Sequence, residues 1–200
     1  MSMLLKPLDQ FTAEEKTAYH EAAHVVAYLA EGMPFEYVSI IPEDDKPGRV
    51  VGKEMPRWVR EALDNWRITD WVRLWVENLI VVYLAGPVAD EVLERTRNYV
   101  TEDEYQAVLK LASKLSGGFN DELEAYVRWL EERTKRLVLS PENWATIEAL
   151  AQILVSRRRM TASQVKEMVK AAHMDEEFQA RVYALEELRW KQDTQGDGPC

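Results

Sequence analysis

One four-residue pattern recurs along the chain and limits what it can fold into. Thr12–Glu15, Thr101–Glu104 and Thr161–Gln164 each set a threonine three residues ahead of a glutamate or glutamine. In that arrangement the two side chains satisfy backbone N–H groups that a helix start leaves unpaired. A fourth start is written as Ser140 followed by Pro141, where proline's missing N–H is no loss. The stops agree with the starts. Gly32 and Pro34 close a first helix predicted over 13–31, whose apolar stripe is Ala18, Ala22, Val25, Val26 and Leu29. Further helices are predicted over 56–66, from Thr69 to a break at Gly86-Pro87, over 101–115 with Gly117-Gly118 as its stop, and over 122–138, 141–159, 162–173 and 175–190.

Strand-type patterning is confined to Phe35–Ile41 and Arg49–Gly52, which flank the turn-forming run PEDDKPG. The expected fold class is therefore mainly α, with a small β-hairpin beside the first helix and a C-terminal helical bundle. The expected organisation is one domain over 1–190, divided into 12–55 and a helical remainder 56–190, followed by a disordered tail over 191–200. A chain of 200 residues, 46% hydrophobic, can bury a core without cross-links, and its single cysteine, Cys200, rules out an internal disulfide. Lys and Arg number 25 against 35 Asp and Glu, a net charge of −10 that argues against a nucleic-acid partner. The N-terminal residues lack a signal-peptide pattern, and the longest apolar run, Leu79–Ala89, is too short to span a bilayer, so no membrane span and a cytoplasmic location are expected.

The chemistry sits in the first helix. His20-Glu21-Ala22-Ala23-His24 is an HExxH motif, and two of the chain's three histidines belong to it. Residues four apart lie one turn apart on one helix face, so both imidazoles can reach one metal ion. Two histidines and one carboxylate leave a fourth position for water, the open geometry of a catalytic zinc. Glu21, one step round the helix, is placed to act as the base that takes a proton from that water. The remaining histidine, His173, lies alone near a helix end, where a positive charge suits the dipole. Arg157, Arg158 and Arg159 are explained in the same way. Trp58, Trp66, Trp71 and Trp75 recur at helical spacing and are expected to make core or helix–helix contacts.

The third ligand is not fixed by the motif. Ala27 and Ala30 stand where HExxHxxGxxH would need glycine and histidine, and a glutamate some twenty residues on would be Glu43, in the predicted turn. An acidic ligand from a helix far downstream remains.

Here the sequence resembles a family. AYHEAAHVVAYLAEG, then VSIIP, then GRVVG, is similar to the peptidase domain of FtsH, the ATP-dependent zinc metalloproteases, which follow a HEAGH-type helix with a VTIIP-type strand and a glycine-rich return strand. NLIVVYLAGPVADEVL resembles the family's helix ending GGRAAEE, with Pro87 in place of arginine, and ENWATIEALAQILVSRRRMTASQV resembles its closing helix pair. The resemblance spans residues 12–170. It implies a zinc-dependent metalloendopeptidase with His20 and His24 as ligands and Glu21 as base. The family's third ligand is an aspartate at a later helix start. Aligning TEDEYQAVLKLA with it puts Glu104 at that position and Asp103 beside it, while Asp121 in GGFNDE falls one helix too late. The resemblance also implies that an extended peptide pairs with the strand edge at Val38, Ser39, Ile40 and Ile41. No ATPase motif of the GxxxxGK[ST] type occurs in the chain. The expected substrates are thus peptides or unfolded segments, with an ATPase partner acting in trans left open. The alternative is a peptidase-fold module, weak or inactive in catalysis, that captures a peptide or protein partner.

Overall fold

The structure is a computed structural model that describes residues 6–44, 46–94, 102–117 and 120–195. Its described residues form eight α-helices and a three-stranded antiparallel sheet. The first helix, α1 (Ala13–Ala30), starts as the sequence predicts: Thr12 and Glu15 form a reciprocal capping box, and Gly32 takes a left-handed φ of 65° just past the end. Ala18, Ala22, Ala23 and Ala27 are fully buried. Such small side chains let neighbouring helices approach α1 closely, and it packs between α6 (Pro141–Arg157) on one side and α3 (Asp70–Glu94) on the other. Beyond α3 lie α2 (Arg57–Asp64), α4 (Glu102–Leu115) and α5 (Asn120–Val138), which enclose a second buried apolar cluster. At the C-terminal end, α7 (Ala162–Ala172) packs on α6 and on the sheet, and α8 (Glu176–Gln195) packs on α6.

Several expectations are corrected. A helix break at Gly86-Pro87 does not occur. Instead α3 runs unbroken through Pro87, because burial of both its faces outweighs one missing N–H. At this length α3 is long and apolar enough to cross a bilayer, and 72% of its apolar window is buried inside the fold. The last helix, α8, continues to Gln195, five residues past the boundary at 190, while 196–200 lie outside the described residues. So do Thr101 and Gly118, and with them the middle capping box and half of the glycine stop.

The largest correction concerns the sheet. The hairpin forms as predicted, with β1 (Phe35–Ser39) and β2 (Arg49–Gly52) pairing Val38 with Val50. A third strand, β3 (Arg159–Thr161), adds on the far side of β1 and pairs Val38 with Met160. Arg158, at a φ of 62°, turns the chain out of α6 into this strand, and its carbonyl accepts the Ile40 N–H at 2.8 Å. The strand order is β2-β1-β3, so β1 is central. Val38, Ser39 and Ile40 therefore present no free edge, and the Ile41 N–H is taken by the Ser39 hydroxyl. A peptide cannot pair along 38–41; among the described strands the edges belong to β2 and β3.

Candidate metal centre

Three helices meet at the HExxH motif. α1 presents His20, Glu21 and His24, α3 runs alongside it, and α4 brings Glu104 across. The His24 Nδ1–H donates to the Val82 carbonyl at 2.6 Å, and the His20 Nδ1–H donates to Asp90 Oδ2 at 2.8 Å. Both partners are on α3, eight residues apart, two turns along one face. A carbonyl can only accept, so His24 must carry its proton on Nδ1, which turns the Nε2 lone pair inward. The two Nε2 atoms then face each other at 3.0 Å, with Glu104 Oε1 at 3.3 Å from His24 Nε2 and 3.6 Å from His20 Nε2. Two nitrogens at that distance repel unless a positive charge lies between them. The three donor atoms lie within 4.8 Å of one another, and this partly buried group could hold a metal ion.

The surrounding charge favours the same conclusion. Burial works against a charged His20, yet the Asp90 and Glu104 carboxylates outweigh it and hold the imidazole up at about 10. Burial also opposes charge on Glu104, but the two histidines hold its carboxyl well below the usual carboxylate range. The site draws positive charge between these groups, whether a proton or a metal ion supplies it.

Glycine makes the room. A Cβ at Gly86 would fall 2.5 Å from His24 Nε2 and 2.6 Å from His20 Nε2, so any larger residue there would displace both rings. Gly48, in the loop before β2, plays a similar part over the neighbouring residue. A Cβ there would sit 2.8 Å from both Cγ and Oε1 of Glu21. Glu21 is only 4% exposed, and among the described residues no donor reaches its carboxylate. Burial pushes its pKa up, with the two histidines pulling the other way.

No protein-family model matches the chain, and no curated protein does. The site therefore stands on its geometry.

Of the residues singled out in the sequence, His20, Glu21, His24 and Glu104 come together. Asp103 is the neighbour of Glu104 in the first turn of α4, and its side chain lies outside the described residues. Asp121 opens α5, exposed and apart from the donor group, and Glu43 lies in the hairpin loop paired with Arg49. His173 caps the C-terminus of α7, as its position implies. Sequence reasoning missed Asp90, Val82 and Gly86. Their spacing at i, i+4 and i+8 is a signal only once the partner helix is known.

Proposed function

We propose that the protein is a zinc-dependent metallopeptidase of the FtsH type, acting on peptides or unfolded segments. The observation that carries this reading is the pair of facing His20 and His24 Nε2 atoms, closed by Glu104 and flanked by the Glu21 carboxylate, which no donor among the described residues reaches. A tetrahedral zinc with bonds of roughly 2.0–2.2 Å holds its ligands about 3.3 Å apart. The three donor separations, 3.0, 3.3 and 3.6 Å, suit that spacing. Glutamate, one methylene longer, stands in the first turn of α4 where the resembled family has aspartate.

When bound, zinc supplies a Lewis acid that acidifies water and polarises a carbonyl. His20, His24 and Glu104 would hold it, while Asp90 and the Val82 carbonyl orient the two rings. Glu21 would take the proton from the attacking water at its carboxylate and return it to the departing amine. Burial that raises its pKa brings a carboxylate toward the range where such a group works both as base and as acid. An extended substrate would lie along the β2 edge, the strand whose approach is set by Gly48 against Glu21.

The deciding experiment is metal content and proteolysis on the full chain, prepared without a histidine tag or chelator. About one zinc per chain is expected, lost in His24→Ala. Glu21→Gln should keep the zinc and lose cleavage of an unfolded protein by roughly 10²–10⁴-fold. Undiminished cleavage by Glu21→Gln, or no metal after zinc is added back, would overturn the proposal.

A further inference from the structure

A cavity of about 490 Å³ opens between α3, α4 and α5. That is room for a small organic ligand rather than for a few waters. Its floor is apolar: Leu84, Pro87 and Val88 come from α3, Leu109 from α4, and Leu123 and Val127 from α5. Leu84, Val88 and Val127 are 2, 5 and 4% exposed, so the floor is the wall of the core itself. The three α3 residues stand on the flank of the helix next to the face that carries Gly86 and Asp90. None of His20, Glu21, His24 and Glu104 lines the cavity, so it is separate from the metal centre.

The charges on its rim are answered in one place and open in another. Lys135 of α5 lies 3.5 Å from Glu91 of α3 and 3.6 Å from Glu132, so its charge is met within the fold. Glu124, Arg128 and Glu131 follow one another along one face of α5, four and three residues apart. Opposite charges at that spacing ordinarily pair. Here Arg128 closes on neither carboxylate, and none of the three has a hydrogen-bond or ion-pair partner among the described residues.

An occupant has to match an apolar floor, one open cation and two open carboxylates. A lone amine would meet Glu124 or Glu131 and leave Arg128 unanswered. A lone carboxylate would meet Arg128 between two like charges. A purely apolar body would cover the floor and desolvate all three charges without a partner. A free α-amino acid carries an ammonium and a carboxylate on one carbon, which match opposite charges about 5–6 Å apart on a helix face, and it has one side chain for the floor. We propose that this cavity binds a free amino acid with a large apolar side chain, its carboxylate on Arg128 and its ammonium on Glu124 or Glu131. The site does not rest on the metallopeptidase reading, although its lining residues Pro87 and Glu91 directly follow Gly86 and Asp90 along α3.

The test is isothermal titration calorimetry of the full chain with L-phenylalanine and, separately, with N-acetyl-L-phenylalaninamide, which keeps the ring and lacks both charges. One site per chain is expected for phenylalanine, with a Kd of about 1 mM or tighter, and the uncharged analogue should bind about tenfold more weakly or less. Arg128→Gln and, separately, Glu124→Gln/Glu131→Gln should each weaken phenylalanine about fivefold or more, with unchanged circular dichroism. Asp121→Asn, on the same helix and outside the cavity, should change nothing. The proposal is overturned by no saturable heat at about 20 mM phenylalanine, by equal affinity for the uncharged analogue, or by binding that both rim variants leave intact. It is equally overturned by a concentration-dependent increase in mass that the same variants abolish, which would make the cavity an interface between copies. Zinc content and cleavage play no part in these readouts, so this proposal and the metallopeptidase reading can each fail without the other.

Discussion

Two carboxylates are buried to nearly the same depth in this molecule, and their surroundings differ completely. Glu148 on α6 is 2% exposed and accepts from Arg181 Nε and Nη2 of α8, both at 2.7 Å, and from the Trp144 indole at 3.2 Å. Burial pushes its pKa up and the guanidinium opposes it, so the charge is answered in place by a bidentate partner. Glu21 on α1 is 4% exposed and has no such donor among the described residues, where the groups around it are two histidines, Asp90 and Glu104. The first cluster is electrically complete and fastens α8 to α6. The second holds more acid than base and two ring nitrogens turned toward each other. A closed pair is architecture; among the described residues, the second set could take a further cation.

The contrast can be broken at several points. Glu104→Ala should have the largest effect, lowering zinc affinity by about a thousandfold in a competition titration while leaving the melting temperature of the metal-free protein nearly unchanged. Equal melting losses with and without metal would show that Glu104 is structural. Arg181→Ala should do the reverse. It leaves a buried carboxylate unpaired and should cost about 3–5 kcal/mol in denaturant unfolding, with zinc content intact. The double variant Glu148→Leu/Arg181→Met should recover most of that loss, since it removes both charges together. Asp90→Asn sharpens the picture at smaller scale. It weakens the acceptor for the His20 Nδ1–H, and a drop of about 10–100-fold in zinc affinity is expected. Thr161→Ala should have the least effect, about 1 kcal/mol of stability from the lost cap on α7, with no change in metal binding.

Local chemistry was legible from the residues alone. The boxes at Thr12 and Thr161 form as written, the hairpin takes its predicted strands, and the HExxH helix carries its three side chains to one place. Glu104, which the family resemblance places, also arrives beside them from a distant helix, but other features decided by distant neighbours do not show in the residues. Arg159-Met160-Thr161 is too short to show a period of two, and it becomes a strand only because β1 lies alongside to accept it. Pro87 reads as a breaker, yet α3 is packed on both sides and continues. Of the tryptophans at helical spacing, Trp75 packs against both apolar clusters, whereas Trp58, Trp66 and Trp71 are exposed, Trp71 because the buried stripe of α3 at that end is Val72 and Val76. Asp90 gives no local sign of its role because its partner is 70 residues earlier in the chain.

Gly86 has a consequence for how this protein can change over time. A methyl group at that position would fill the space the two imidazoles share, while alanine suits a helix interior better than glycine by roughly 1 kcal/mol. The helix backbone would tolerate the exchange, but the two rings packed over it would have to move. If the site holds a metal as proposed, an exchange at Gly86 would disturb it through both rings, and the effect would be legible at one position outside HExxH itself.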